Sequence, residues 1–123
     1  VSNDNGRTFS EPRDTGVQGQ ASSVMALPDE RLLALHAIRR DTDRPGIYGF
    51  VIDFSHKNWD VADRFLLWEP QQQLRPHKGL ADIFAYVRFG QPSAIQLSDN
   101  ELLMTHWACE EGQYRTFVTR IRL

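Results

Sequence analysis

Apolar residues along this chain arrive in short bursts, rich in β-branched and aromatic side chains and separated by Gly, Pro, Asp and Asn. That punctuation marks strands joined by turns: a pleated strand favours branched and aromatic side chains, and a turn favours residues that tolerate unusual backbone angles. Strands are predicted over residues 21–27, 32–39, 46–54, 64–68, 93–97, 101–109 and 114–122, so the chain is expected to be all-β. Two turns are the most legible. Pro28-Asp29-Glu30 and Ser98-Asp99-Asn100 each stand between an apolar run and a Leu-Leu pair, where a tight hairpin is expected. Residues 69–78, with three Gln and two Pro, read as an exposed loop or insertion. Residues 79–88 read two ways: Leu80, Ile83, Phe84 and Val87 have helical spacing, whereas Phe84, Tyr86 and Arg88 alternate. A helical turn leading into a strand is expected there.

The pattern occurs twice. Gly19-Gln20-Ala21-Ser22-Ser23-Val24-Met25-Ala26-Leu27 resembles Gly90-Gln91-Pro92-Ser93-Ala94-Ile95-Gln96-Leu97, and the likeness continues once one residue is skipped. Asp29 then falls on Asp99, Leu32-Leu33 on Leu102-Leu103, and His36 on His106, at an offset of seventy. A meander of three or four strands cannot bury both faces alone, so a repeated one is expected to stack on its neighbour around an axis, as in a propeller. A blade takes roughly 40–50 residues. The longer spacing here implies an insertion, for which Gln71-Gln72-Gln73 is the candidate.

Composition narrows the partners. At 123 residues the chain has the length of a single domain, and 14 Lys and Arg against 16 Asp and Glu leave a net charge of −2. No field recruits nucleic acid or an anionic membrane, and neither is expected as a partner. Cys109 stands alone, which excludes an intramolecular disulfide and a Cys-rich zinc site. No metal or cofactor is expected. The first residues lack the apolar run of a secretory signal and no apolar stretch approaches bilayer length, so a soluble chain is expected, with its compartment left open.

Candidate chemistry lies at a few positions. His36 and His106 occupy equivalent places in the repeat, where they suit either ligand or metal binding or a structural role satisfied by backbone groups. Gln20 and Gln91 are also matched by the repeat, and their amides both donate and accept, which suits sugar hydroxyls or a neighbouring sheet. Arg39, Arg40 and Arg44 lie close to Asp41 and Asp43, as a neutralised surface cluster or a carboxylate clamp. Trp107 could stack on a sugar, as could Trp59 and Trp68; packing in the core is the alternative. Gln20, His36, Arg39, Gln91, His106 and Trp107 are therefore the candidate ligand-binding residues.

One motif is specific enough to suggest a family. Ser2-Asn3-Asp4-Asn5-Gly6-Arg7-Thr8-Phe9 fits the Asp-box, Ser-x-Asp-x-Gly-x-Thr-Trp, with Phe9 in place of Trp. Its logic is structural: Asp4 can accept from backbone N–H groups, Gly6 permits a positive φ, Ser2 and Thr8 flank them, and Phe9 is expected to pack under the hairpin. A degraded copy is read at Ser55-His56-Lys57-Asn58-Trp59. With the segments around Thr15-Gly16-Val17-Gln18, Arg44-Pro45-Gly46-Ile47, Phe89-Gly90-Gln91-Pro92-Ser93 and Thr119-Arg120-Ile121-Arg122-Leu123, the chain resembles the C-terminal portion of bacterial sialidase-like (BNR-repeat) proteins.

The resemblance implies about two four-stranded blades of a six-bladed β-propeller. Residues 1–18 would be an Asp-box turn and an outer strand, 19–69 one blade, 70–88 a connector, and 89–123 a last blade lacking its outer strand. It also implies a tyrosine nucleophile paired with a glutamate. The matching positions hold Gln91, and Gln20 or Ala21, while the arginine expected near Ala37 has Arg39 two residues on. No catalytic residue is assigned. The expected role is a non-catalytic module that binds carbohydrate or acts as a scaffold; the alternative is an exo-sialidase-like glycoside hydrolase, or a fragment of one whose catalytic residues lie in missing blades. A homotrimer would complete a six-bladed ring.

Overall fold

A computed structural model describes residues 1–40, 42–55, 58–71 and 88–122, with backbone alone for Ala21 and Ser22. The strands are β1 (Gln20–Ala26), β2 (Leu32–Ile38), β3 (Gly46–Asp53), β4 (Asp60–Trp68), β5 (Phe89–Ser98), β6 (Glu101–Glu110) and β7 (Gln113–Arg122). They form two antiparallel meanders, a first sheet ordered β1-β2-β3-β4 and a second ordered β5-β6-β7. The protein is all-β, and no described residue is helical. Most of residues 79–88, where a helical turn is expected, lie outside the described residues.

Turn chemistry sets the hairpins. At the β1–β2 turn the Leu27 N–H donates to the Arg31 carbonyl at 2.8 Å, and the Asp29 carboxylate takes the Arg31 guanidinium at 2.7 Å. Glu111 and Gly112 both hold positive φ, 51° and 77°, between the paired Glu110 and Gln113. Two left-handed central residues match the right-handed twist of the flanking strands.

The repeat is also a repeat of register. Ser23 faces Leu35 and Ser93 faces Thr105, and each sheet has a bulge at the same place, between Gln20 and Ser23 and between Gly90 and Ser93. Because both sheets carry the bulge, the offset of seventy runs unbroken back to the start of each strand. Gln20, opposite Ala37, therefore matches Gly90, opposite Trp107, and Gln91 matches Ala21. The pairing of Gln20 with Gln91 is corrected by one residue.

Two apolar layers hold the structure. Leu33, Leu35, Ala37, Ile47 and Val51 on one face of the first sheet pack against Phe89, Leu102, Met104, Ala108 and Ile121 of the second. On the opposite face of the first sheet, Ala34, Ile38, Tyr48, Phe50 and Ile52 are covered by Val17 and Trp59. β6 alternates buried with half-buried positions, as a strand covered on one side must. The outer face of the second sheet stays open, with Ile95 at 59% exposure and Val118 at 61%.

Residues 9–19 form no strand, in contrast to the outer strand expected within 1–18. Val17 sits against the far face of the first sheet, and Arg13 donates to Asn58 Oδ1 at 2.9 Å just before β4. The degraded box at Ser55-Trp59 falls between β3 and β4, where the Asp53 carboxylate accepts the Ser55 N–H at 2.9 Å; His56 and Lys57 lie outside the described residues.

Candidate functional site

The starts of β1 and β5 and the ends of β2 and β6 meet at one edge of the paired sheets, and Arg39 bridges them. It follows the last residue of β2, where the strand releases its side chain toward the second sheet. Its Nε donates to the Phe89 carbonyl at 2.7 Å and its Nη1 to Gln20 Oε1 at 2.8 Å. The guanidinium carbon also lies 5.6 Å from the Phe89 ring centre and 6.0 Å from that of Trp107. Burial, with Arg40 adding a second positive charge, pulls the Arg39 pKa below its usual value. The group stays a cation. A side chain at Gly90 would overlap Arg39 Nη2, so the guanidinium fits only because that position has no Cβ.

Beside this bridge opens a pocket of about 230 Å³ lined by Gln18, Gly19, Gln20, Ala37, Ile38, Arg39 and Arg40. Its lining offers amides, guanidinium groups and a short apolar wall. No carboxylate, hydroxyl, imidazole or thiol lines it among the described residues.

Two of the six candidate ligand residues, Gln20 and Arg39, line the pocket, and Trp107 stands next to Arg39 outside that lining. Gln91 is exposed in the β5 bulge with φ 51° and does not line the pocket. His36 and His106 are buried, at 8% and 2% exposure, and neither ring nitrogen of either has a hydrogen-bond partner. His36 stands edge-on to Phe50 at 5.3 Å, and a Cβ on Gly19 would come within 2.8 Å of its Nδ1. His106 lies 4.7 Å from the Trp68 ring centre and stacks on Phe117 at 5.4 Å. Ligand binding is closed to both, and the expected backbone partners are absent; aromatic faces surround them instead. Desolvation lowers both pKa values, that of His106 to about 4.

The other candidates separate from this edge. Arg44 forms a bidentate pair with Glu69 at 2.7 and 3.1 Å rather than joining Arg39. Trp59 and Trp68 pack in the two apolar layers. Cys109 is half-buried on β6. No group of three or more His, Cys, Asp or Glu side chains able to hold a metal occurs among the described residues.

The Asp-box forms a tight turn and contributes no residue to the pocket lining. Asp4 accepts from the Arg7 and Thr8 N–H groups at 3.0 and 2.9 Å and from the Thr8 hydroxyl at 2.7 Å. Ser2 Oγ donates to Asp4 and accepts the Gly6 N–H, both at 2.8 Å, and Gly6 has φ 82°. These donors, the Thr8 hydroxyl first, lower the Asp4 pKa to about 2. Phe9 departs from expectation. It is 75% exposed rather than packed under the hairpin.

Arg39, Gln20 and Trp107 were legible from residue type and strand position. The Phe89 carbonyl was not, since backbone acceptors leave no mark in composition. Gln18 and Arg40 could have been found as direct neighbours of Gln20 and Arg39.

Comparison with protein families finds no match, and comparison with curated proteins finds none either. Among solved structures the chain is similar to a protein of unknown function from Dyadobacter fermentans DSM 18053, with a TM-score of 0.73 at 23% identity over 99% of this chain. The chain spans 30% of that protein's length. At this identity the likeness is one of fold.

Proposed function

We propose that the two sheets are consecutive blades of a sialidase-like propeller, and that the Arg39 pocket at their seam binds carbohydrate without cleaving it. Supporting the propeller reading is the sense in which the sheets stack. The face of the second sheet that packs inward carries Met104, His106 and Ala108, which match Ala34, His36 and Ile38 on the far face of the first. The contact is head-to-tail, as between blades. β1 and β5, the first strand of each sheet, also lie against one another, as inner strands around an axis do.

Carbohydrate binding rests on a single observation: Arg39, fixed by Gln20 and by the Phe89 carbonyl, lines an open pocket together with Gln18, Gln20 and Arg40, and Trp107 lies just outside that lining with its ring centre 6.0 Å from the guanidinium carbon. Guanidinium and amide groups match vicinal hydroxyls and carboxylates, and an aromatic face suits the apolar side of a sugar ring. Glycoside cleavage requires a general acid and a nucleophile or base, and this lining supplies side chains that serve as neither. A scaffold role is compatible with the same fold.

The second reading, a segment of a larger glycoside hydrolase, is compatible with the chain spanning 30% of the length of the Dyadobacter fermentans protein, a likeness of fold that carries no activity with it. A panel of neutral and carboxylated monosaccharides titrated by calorimetry, with the matching fluorogenic aryl glycosides assayed for hydrolysis, separates these. Binding by the native chain that falls at least tenfold in Arg39→Ala, with no release of a fluorogenic aglycone, is the expected result. Aglycone release that survives purification and depends on Arg39 would replace the first reading with the second.

A further inference from the structure

We infer that residues 15–20 are a proton-sensitive cover: a proton on His36 lifts this segment from the first sheet and carries the Gln18, Gly19 and Gln20 wall of the Arg39 pocket away with it. The inference rests on the pocket alone and not on what the pocket binds. His36 lies on the far face of the first sheet at 8% exposure, edge-on to Phe50, with no hydrogen-bond partner at either ring nitrogen. The Gly19 backbone rests directly on it, since a Cβ there would come within 2.8 Å of Nδ1 and 2.9 Å of the His36 Cβ. Val17 packs in the same apolar layer. A charged imidazole carries two N–H donors and is costly to bury without acceptors, so the protonated ring is accommodated where it meets water.

Little backbone pairing holds the cover down. Among the described residues, no backbone–backbone hydrogen bond outside the strands involves residues 11–19. Gly16, with φ 68°, gives its N–H to Asp14 at 2.8 Å and turns the chain within the segment itself. Downstream, Gln20 pairs with Ala37, but a bulge separates that pair from the ladder that resumes at Ser23. The segment can therefore lift as far as the bulge while the rest of β1 stays paired. His106 is equally unpartnered but differently covered: Trp68 and Phe117, both in paired strands, flank its ring, so its nitrogens reach water only when the sheets part.

The charges around His36 do not hold a proton in the closed form. β1 carries no charged residue, and β3 presents Tyr48, whose hydroxyl donates to the Arg44 carbonyl. β4 presents Arg64, whose guanidinium carbon lies 4.5 Å from the Tyr48 ring centre and 5.4 Å from that of Phe50, and Arg40 follows the end of β2. On the segment side, Arg13 is on Asn58 and Asp14 on the Gly16 N–H. Burial lowers the closed-form pKa of His36 from 6.5, whereas a lifted cover returns it toward that value. The open fraction therefore rises below pH 6.5, by up to about tenfold per pH unit.

The test is an NMR titration of the native full chain from about pH 7.5 to about pH 5, spanning the ordinary histidine range. The His36 ring and the Val17, Gly19 and Gln20 amides should move together with one midpoint below 6.5, while the Leu102 and Met104 amides stay in place. These movements should vanish in His36→Phe, or in His36→Leu if the larger ring does not fold. Protonation of His36 only together with loss of the Leu102 and Met104 signals, segment amides that do not follow the His36 midpoint, or movements that persist without the imidazole would each overturn the inference. A native chain that passes this titration yet binds no sugar removes the carbohydrate reading and leaves the cover standing.

Discussion

Asp4 shows how much one carboxylate can organise. Four donor groups converge on it, and its folded pKa of about 2 lies below the ordinary value of 3.8. The ionised form therefore holds the turn above the ordinary pKa, and that contribution is lost as pH falls toward 2. Asp4→Asn should abolish amide-exchange protection at Arg7 and Thr8 while leaving β3 unchanged; undiminished protection would remove Asp4 as the organiser. His106 acts in the opposite sense to a paired histidine. The unfolded chain takes a proton near pH 6.5 that the folded chain refuses until about pH 4. Stability is complete above pH 6.5 and declines between 6.5 and 4, by up to about 3 kcal/mol for this group. His36 shifts in the same direction and steepens the decline. Urea denaturation across this range should show a shallower slope in His106→Phe than in the native chain, and equal slopes would contradict the assignment.

At the scale of elements, strands were legible because the central ones carry unbroken apolar runs and β6 alternates strictly. β4 is longer than the expected 64–68: its first half is exposed, and its ladder with β3 rather than its own residues makes it a strand. The one-residue skip in the repeat concealed a bulge shared by both sheets, since a bulge is a feature of pairing. Packing gives a direct contrast between positions. Met104→Ala should cost about 2–5 kcal/mol, because Met104 is fully buried between the sheets, whereas Val61→Ala on the exposed half of β4 should stay within about 0.5 kcal/mol. Denaturation midpoints compared at constant slope provide the check.

At the scale of the molecule, the pocket exists because two stacked repeats differ at equivalent places. Gln20 is replaced by Gly90 and Ala37 by Trp107, so the first sheet supplies the pocket's polar lining while Gly90 of the second leaves space for the Arg39 guanidinium. Arg39 crosses the seam and joins them. The most direct test follows the Arg39 Nε–H and Trp107 Nε1–H resonances while N-acetylneuraminic acid, glucuronic acid and galactose are titrated into the native chain. Saturable shifts of both signals by at least one sugar, lost in Arg39→Ala, are the predicted result. A sugar that binds while both signals stay still, or no binding by any of the three at millimolar concentration, would contradict a carbohydrate site at the seam.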